Sequence, residues 1–538
     1  MTGKIRKIAA ELICALAIVA ASLPANAQNP PASFNVMEAT IPDIHAAMKA
    51  GKLTARQLVQ AYLDRIAAYD KKGPDLNCII TINAQALPEA DRLDAQLKKT
   101  HAFVGSLHGI PILVKDEIDT AGMPTTLGSA VFKDYRPTRD AFVIENLHKQ
   151  GAIILGKTTL GEFAAGDTYG SGFAERGEAF GVSRNPYALT RTVGGSSGGS
   201  GACLSANMST VAIGEETRAS IRRPGSFDDV VTMRPTAGLV SRSGMYDGWP
   251  TEHASMGPMA RTVADLARLM DVMAGYDAED PETALGVGHK AESYLAPLKK
   301  DALRGARIGV LRTDLGTNSD PGSQDYKNVM DVFSRAVGEL KAAGATVVDP
   351  IDIPGLTELQ QIGTVRPEDK ALEVWLSRNP NSPFHNHADI SKSPDVAKVF
   401  PPSKAEDWKR PELRFDEAKN GKYLAARQQL LTNVLKVMAD NRLDAIVYRT
   451  MERSPSLIEE ATTPPYRGGN GGTPILNTFL VYVPAITVPS GFTPDKLPTG
   501  LTFLGRPYGD AGVIALAYAY EQATHHRVPP PTTPPLQN

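Results

Sequence analysis

The sequence predicts an α/β fold. Short apolar runs of strand length alternate with longer segments of helical periodicity along most of the chain. A length of 538 residues leaves room for a large buried core, and 42% hydrophobic with 22% charged residues is typical of a soluble globular protein. The 47 glycines and 40 prolines are too few for a low-complexity or fibrous chain.

The elements can be assigned in chain order. Thr54 and Gln57 form a capping box, and apolar residues at helical spacing follow from Leu58 to Ile66. Further helices are predicted at residues 140–150, 325–343 and 511–523. Strands are predicted at residues 112–115, 153–155, 210–213, 308–311, 347–348, 445–447, 485–488 and 501–504. Residues 190–201 have no periodicity, and their glycines predict a loop with close backbone approach.

The N-terminal segment has the pattern of a secretory signal peptide. Three basic residues within the first seven precede an apolar run of ten residues, Leu12–Ala21, and Ala25-Asn-Ala27 then presents a cleavage site. A membrane anchor is the alternative, but the run is shorter than the ~20 residues that a spanning helix needs. We therefore predict removal of residues 1–27 and export to the periplasm or the extracellular space.

Charge and cysteine content limit the partners. The net charge of −2 and pI of about 6.6 give no overall attraction to nucleic acid. Removing residues 1–27 leaves Cys78 and Cys203, hence at most one internal disulfide, and these cysteines are interpreted as buried small residues rather than nucleophiles. No later run approaches ~18 apolar residues, so no stable membrane span is expected after cleavage. The oligomeric state cannot be deduced from the sequence.

The ends and one internal segment differ in composition from the rest. Residues 28–40 are predicted to be a linker, and the Pro-rich residues 529–538 an extended or disordered tail. Residues 355–425 are more charged and are interrupted by prolines, which suggests an insertion on the substrate side.

Two short motifs match the nucleotide-binding and hydrolase patterns, but the predicted elements around them differ from those that these patterns require. Gly151–Thr158 matches G-x-x-x-x-G-K-[ST], but its four central residues read as a buried strand, which cannot wrap a phosphate. Gly194–Gly198 matches the G-x-S-x-G elbow of an esterase-type α/β-hydrolase, for which His525 or His526 could supply the late histidine. The density of glycines favours a loop over a strand-elbow-helix.

The histidines give no strong metal signal. His385 and His387 could lie on one face of a strand, but no third ligand at a known spacing accompanies them. Surface histidines are the simpler interpretation. No metal and no cofactor are predicted.

A third set of residues is more specific. Lys115 ends an apolar strand, Ser196 lies in the Gly/Ser segment, and Ser220 follows 24 residues later. Together with their flanking motifs they resemble the amidase signature family. The resemblance runs in order through residues 107–116, 156–163, 184–187, 194–200, 220–222, 257–264, 484–489 and 505–507.

The resemblance implies a fold and a chemistry. It implies one large domain over residues 41–528, a mixed sheet covered by helices on both faces, and a Ser-cis-Ser-Lys triad. Ser220 would be the nucleophile, Ser196 the bridging serine after a cis peptide bond, and Lys115 the base. The implied reaction is hydrolysis of a small-molecule amide through an acyl-serine, without metal or cofactor. A peptide amidase, an aryl acylamidase and an esterase-type serine hydrolase are the alternatives.

The segment before Ser220 departs from the family. The usual Asp-Thr-Gly-Gly-Ser is here Glu216-Thr-Arg-Ala-Ser220. The family places oxyanion-binding backbone N–H groups here, at Thr217, Arg218 and Ala219, and positive φ at 218 or 219 would be strained without glycine. We expect Arg218 to line the leaving-group side. We also expect an apolar surround to lower the pKa of Lys115 so that the amine can act as base.

Overall fold

The computed structural model describes residues 34–165, 180–316, 319–362, 367–400, 402–410, 415–462, 472–474, 476 and 480–537. The predicted signal peptide and residues 28–33 of the predicted linker lie outside these ranges.

Eleven strands form one sheet within the described chain. They are β1 Ile79–Ile82, β2 Pro111–Lys115, β3 Ile153–Thr158, β4 Val211–Glu216, β5 Val231–Arg234, β6 Ser255–Ala260, β7 Arg307–Leu311, β8 Thr346–Ile351, β9 Ala445–Arg449, β10 Ala485–Phe492 and β11 Pro498–Leu504. Their spatial order is β1-β3-β2-β4-β6-β5-β10-β11-β9-β7-β8. Strand β2 is parallel to β3 and β4, whereas β10 is antiparallel to β5 and β11, so the sheet is mixed as predicted.

Helices connect and cover these strands. They are α1 Ile41–Lys49, α2 Ala55–Tyr69, α3 Ala86–Thr100, α4 Phe142–Lys149, α5 Gly198–Ser205, α6 Arg222–Phe227, α7 Val263–Met273, α8 Gln324–Ala342, α9 Leu356–Gln360, α10 Glu368–Ser377, α11 His387–Ile390, α12 Val396–Val399, α13 Pro402–Trp408, α14 Glu417–Asp440, α15 Ile458–Thr462 and α16 Asp510–Thr524. Every residue of β2, β3 and β4 is buried. Because successive side chains of a strand point to opposite faces, both faces of the sheet are covered there.

The Gly/Ser segment corrects one prediction. Residues 190–197 contain no helix or extended strand, but helix α5 begins at Gly198, within the predicted loop. The prediction of close backbone approach is nevertheless correct, since a Cβ added at Gly199 would collide with Thr159 and one at Gly201 with Asp228. The glycines allow a fully buried helix to pack tightly, which outweighs their low helix propensity.

Cys78 and Cys203 form a disulfide bond, with Cα atoms 5.7 Å apart. Both residues are buried, as expected from the sequence, but their sulfurs are bonded to each other rather than free. Cys78 immediately precedes β1, and Cys203 lies on α5. The bond therefore joins the edge of the sheet to the helix that follows Ser196 and Ser197.

The charged segment 355–425 contributes helices to an aromatic cluster. Trp375 and Trp408 from this segment pack with Phe132 and Phe163, which come from elsewhere in the chain. Trp375 also donates a hydrogen bond of 3.1 Å from its indole to the buried Asp119 carboxylate. Aromatic packing and this hydrogen bond thus attach the segment to the loop after β2.

Both ends of the predicted domain are tied to the rest of the molecule. Arg65 on α2 donates from its guanidinium to the carbonyls of Thr533 and Pro534, so this part of the Pro-rich tail is docked against α2. Glu38, in the predicted linker, pairs with Arg527 at 3.0 Å. None of the helices in the described ranges has the length and apolar character needed to cross a membrane.

Candidate active site

The site is built where two parallel strands end. Val114 of β2 is in register with Ile213 of β4, which places Lys115 beside the end of β4. The carboxyl ends of neighbouring parallel strands are a common place for ligand-binding side chains. Lys115 is fully buried, and its Nζ lies 2.7 Å from Ser196 Oγ. Two of the three predicted triad residues are therefore in direct hydrogen-bond contact.

The Gly/Ser segment presents Ser196 to the lysine. The peptide bond between Gly195 and Ser196 is cis, as the resemblance implies. The Ser196 carbonyl accepts a 3.0 Å hydrogen bond from the Gly161 amide, and the Gly195 carbonyl accepts one of 3.0 Å from Arg223 Nε. These bonds fix the backbone on both sides of the serine.

Ser197 connects this segment to the nucleophile candidate. Its amide donates to the Ser220 carbonyl at 3.0 Å, and its hydroxyl donates to the Glu215 carbonyl at 2.9 Å. Gly214 makes the approach feasible, since a Cβ there would lie 2.8 Å from Ser197 Oγ. Ser220 is therefore held beside the Ser196 segment, and it is 9% exposed.

The turn that carries Ser220 is fixed by a buried carboxylate. One oxygen of Glu216 accepts the backbone amides of Ile221 and Arg222 at 3.1 and 3.0 Å, and the other accepts Arg222 Nε at 2.9 Å. A carboxylate in this position satisfies amides at the start of helix α6 that would otherwise lack acceptors. Arg222 also donates to the Arg218 carbonyl at 2.7 Å, so it braces the segment before the serine.

The predicted oxyanion segment is unstrained. Thr217, Arg218 and Ala219 all have negative φ, so the loss of the two family glycines imposes no left-handed conformation. Ala219 is buried, whereas the Arg218 side chain is exposed beside Ser220. Within the described residues the backbone amides of Ala219 and Ser220 donate no hydrogen bond to another protein group.

The surroundings of Lys115 contradict the expected apolar pocket. Besides Ser196, Nζ contacts Glu215 Oε2 at 2.7 Å and Glu117 Oε1 at 2.8 Å, and both glutamates are buried. Burial alone would lower the pKa of Lys115, but the two carboxylates outweigh burial and raise the pKa above its ordinary value. The lysine is therefore held as an ammonium, and the expected lowering of its pKa is wrong.

The two carboxyls differ from each other. Burial raises the pKa of Glu117 well above its ordinary value; Lys115 opposes this shift and repulsion from Glu215 adds to it. Burial would likewise raise the pKa of Glu215, but the attraction and hydrogen bonds of Lys115, with further bonds including one from Thr217, hold it below its ordinary value. Lys115 therefore favours the ionised form of Glu215, whereas burial favours the protonated form of Glu117.

Sequence reasoning missed Glu117, Glu215, Glu216 and Arg222 as functional-site residues. Charged residues at strand ends are ordinarily solvated, so the presence of glutamate or arginine at these positions did not indicate that the side chains are buried. The available signal was position, since Glu117 follows Lys115 by two residues and the glutamate pair directly precedes the oxyanion segment.

The competing motifs have structural roles. The nucleotide-binding match is occupied by strand β3, and Lys157 within it contacts Asp116 at 3.6 Å and the Pro124 carbonyl at 3.2 Å. His526 bonds to Glu339 on α8 at 2.9 Å, and His525 ends helix α16.

His385 and His387, the residues considered for a metal site, do not belong to a group of three or more metal-ligating side chains in the described chain. His387 is buried against Asp369 at 2.6 Å rather than lying on the surface, and His385 is exposed. Among the described residues the one group with metal-ligand proximity consists of Asp70, Cys78 and Cys203, whose sulfurs form the disulfide.

Comparison with known proteins places this geometry in a family. The family model described as Amidase matches residues 57–514. This chain belongs to the amidase signature family. A peptide amidase from Stenotrophomonas maltophilia has a similar structure, with a TM-score of 0.79 and 34% identity over 92% of this chain and 98% of that one.

Curated relatives agree with the family assignment. A glutamyl-tRNA(Gln) amidotransferase subunit from Symbiobacterium thermophilum is 32% identical over 90% of this chain and 96% of its own length. A probable amidase from Arabidopsis thaliana is 31% identical over 93% of this chain and 92% of its own length. The chain is thus an amidase-family enzyme with the single-domain α/β fold predicted from its sequence.

Proposed function

We propose that this amidase hydrolyses small carboxylic amides through a covalent acyl-Ser220 intermediate. The observation that supports this most strongly is the 2.7 Å contact between Lys115 Nζ and Ser196 Oγ beside the turn that carries Ser220. Amides are weak electrophiles with poor leaving groups, so attack requires a base and departure of the nitrogen requires an acid. A lysine linked to a nucleophile through a serine hydroxyl can serve both needs.

The proposed reaction has two stages. Once the Lys115 ammonium has given a proton to a carboxylate in contact with it, Ser220 Oγ attacks the carbonyl carbon while its proton passes to Ser196, which gives its own proton to the Lys115 amine. The same path returns a proton to the departing nitrogen, leaving an ester on Ser220. Water then attacks this ester by the reverse sequence, and the carboxylic acid is released.

The segment before Ser220 would bind the oxyanion. Backbone amides of Thr217, Arg218 and Ala219 surround the start of the turn, and donors aimed at a developing negative charge stabilise the transition state most effectively where water is excluded. Two observations support this assignment: the Ala219 amide has no acceptor among the described residues, and the φ values are negative. Oxyanion binding depends on backbone groups, so the unusual side chains do not prevent it.

We infer that the substrate is a peptide amide or another small amide. The structural similarity to a peptide amidase supports this choice. The relatives named as glutamyl-tRNA(Gln) amidotransferase subunits raise transamidation as an alternative. A signal-peptide pattern and a net charge of −2 favour an exported enzyme over a partner of tRNA.

A panel of amides tests the function. Wild type would be incubated with C-terminally amidated dipeptides, acyl anilides and simple aliphatic amides, and released ammonia or amine would be measured. We expect turnover of at least one class, reduced by about 10³-fold or more in Ser220→Ala and in Lys115→Ala. Ser226→Ala, a buried serine on α6, is the matched control and should retain activity. Equal rates in wild type and Ser220→Ala would refute the proposal.

An esterase-type triad makes a different prediction. It would require His525 or His526, and it would tolerate Lys115→Ala. We expect His526→Ala to keep its amidase activity because this side chain bonds to Glu339. Loss of turnover in His526→Ala with retention in Lys115→Ala would favour the esterase mechanism.

We further propose that the enzyme is exported. The disulfide between Cys78 and Cys203 supports this location, since such bonds persist mainly in oxidising compartments. Expression of the full chain in a bacterium, followed by cell fractionation and N-terminal sequencing, should yield a periplasmic or secreted protein that begins at Gln28. An intact N-terminus in the cytoplasmic fraction would contradict export.

A further inference from the structure

Lys115 shares its buried position with two carboxyl groups. Its Nζ lies 2.7 Å from Glu215 Oε2 and 2.8 Å from Glu117 Oε1, while the third contact, at 2.7 Å, is Ser196 Oγ. All four side chains are buried. A base that must give up its proton before accepting one from Ser196 is therefore held as a cation by its neighbours.

Charge balance indicates how many protons the cluster holds. One ammonium facing two carboxylates would leave an uncompensated negative charge in a buried site, which is costly. The proton is assigned to Glu117, because its 2.8 Å contact with the ammonium is a charge contact without hydrogen-bond alignment and burial raises its pKa well above the ordinary value. Glu215 is aligned with Lys115 Nζ through one oxygen and with the Thr217 hydroxyl, at 2.8 Å, through the other.

The charged side chains that surround the cluster do not change its net charge. On the side of Glu117, Lys157 of β3 is paired with Asp116 at 3.6 Å. On the side of Glu215, the buried Arg234 of β5 is attracted electrostatically by both Glu215 and Glu216. Glu216 also forms an ion pair with Arg222 at 2.9 Å. These cations are shared with other carboxylates, so Lys115 remains the direct partner of Glu215.

We propose that Glu215 takes the proton from Lys115 and so generates the neutral amine inside the cluster. The N–H bond of the ammonium breaks and an O–H bond forms at Glu215 Oε2, across the 2.7 Å contact. The freed nitrogen lone pair then accepts the proton of Ser196. Because Glu117 stays protonated, the cluster is neutral before and after the transfer and exchanges no proton with solvent.

Glu215 is thus a positioning residue for the base, and this inference depends on the proposed serine mechanism. Proton transfer from Lys115 to Glu215 predicts how the reactivity of Ser220 depends on pH. If Lys115 lost its proton to solvent, activation of Ser220 would rise tenfold per pH unit up to the raised pKa of the lysine. Internal transfer to Glu215 instead predicts no such rise.

The test measures activation of Ser220 without needing the natural substrate. An alkyl fluorophosphonate labels an activated serine, as the Oγ–P bond forms, fluoride leaves and the serine proton passes to the base. The second-order rate constant of labelling would be measured from pH 7 to 10 by mass spectrometry of the full-length enzyme. The variants are Glu215→Gln and Glu117→Gln, which have the same shape but differ in whether the aligned acceptor remains.

We expect a flat profile for wild type and also for Glu117→Gln, whatever the absolute rate of that variant, because Glu215 remains the aligned acceptor in both. Glu215→Gln should label about 10²-fold more slowly at pH 7 and recover with unit slope as the pH rises. Circular dichroism establishes that each variant is folded. If Glu215→Gln does not fold, the wild-type and Glu117→Gln profiles decide alone.

Three results would overturn the inference. They are a unit-slope rise in wild type, a wild-type rate and flat profile in Glu215→Gln, and equal losses in both glutamine variants at every pH. Failure of amide hydrolysis is a separate result, because labelling of Ser220 can proceed in an enzyme that hydrolyses none of the amides offered.

Discussion

At the scale of single residues, Glu216 determines how the nucleophile candidate is presented. Its two carboxylate oxygens accept three hydrogen bonds, from the Ile221 amide and from the amide and guanidinium of Arg222. Both charged side chains are fully buried. Each depends on the other to offset the loss of hydration.

Replacing Glu216 by alanine should therefore lower stability sharply. Arg222 would remain buried without its carboxylate, and removing one partner of a buried pair costs about 3–5 kcal/mol. Urea unfolding followed by circular dichroism measures the change, with Glu358→Ala on the exposed face of α9 as control. A loss below about 1 kcal/mol, similar to that of a surface substitution, would show that the pair does not fix this turn.

Arg218 offers a test of specificity at the same scale. Its side chain is exposed beside Ser220, and its backbone has no left-handed conformation that would require glycine. We expect Arg218→Gly to change the relative kcat/KM values across an amide panel by about tenfold or more, while Arg218→Lys preserves their order. An identical profile in wild type and Arg218→Gly would show that this side chain does not contact the leaving group.

At the scale of elements, helix α10 is attached to the loop after β2 through a buried carboxylate. Trp375 on α10 donates its indole hydrogen to Asp119, four residues after Lys115. Burial raises the pKa of Asp119 to about 7. A raised pKa in the folded state means that the folded protein binds more protons, so the contribution of Asp119 to stability is greatest below the ordinary carboxyl pKa of 3.8 and is lost as the pH rises from there to about 7.

Asp119→Asn should remove this part of the pH dependence. An asparagine oxygen can still accept from Trp375, but it has no charge to desolvate. From pH 5 to pH 8 wild type should lose on the order of 1–3 kcal/mol more stability than Asp119→Asn. Thermal unfolding at both pH values, with the exposed Asp64→Asn on α2 as control, measures the difference. Parallel curves for wild type and Asp119→Asn would contradict a role for Asp119 in this pH dependence.

At the scale of the whole molecule, the disulfide spans 125 residues of sequence and joins the sheet edge to α5. Closing a loop of that length restricts the unfolded chain, and loss of such a bond typically costs about 2–5 kcal/mol. The double variant Cys78→Ser/Cys203→Ser should unfold at a lower urea concentration than wild type. Its free energy of unfolding should be smaller by that amount. Reductant should destabilise wild type and leave the double variant unchanged; an equal response of both proteins would exclude the disulfide as the cause.

The sequence was sufficient for the fold class, because its signals are local, whereas the three triad candidates stay a prediction from motifs. Apolar runs marked the strands, and Lys115, Ser196 and Ser220 lie in recognisable motifs. The carboxyl cluster was not predictable in the same way. The contact of Lys115 with Glu215 depends on β2 and β4 being parallel neighbours in a particular register. An expectation based on the apolar residues before Lys115 therefore gave the wrong direction for its pKa.

The central claim is that Ser220 carries the acyl group during amide hydrolysis. The most direct measurement is mass spectrometry of enzyme that is quenched in acid during turnover of a peptide amide, followed by peptide mapping. We predict an acyl adduct on the peptide containing Ser220 in wild type and none in Ser220→Ala. An adduct on another residue, or hydrolysis by Ser220→Ala at the wild-type rate, would contradict the claim.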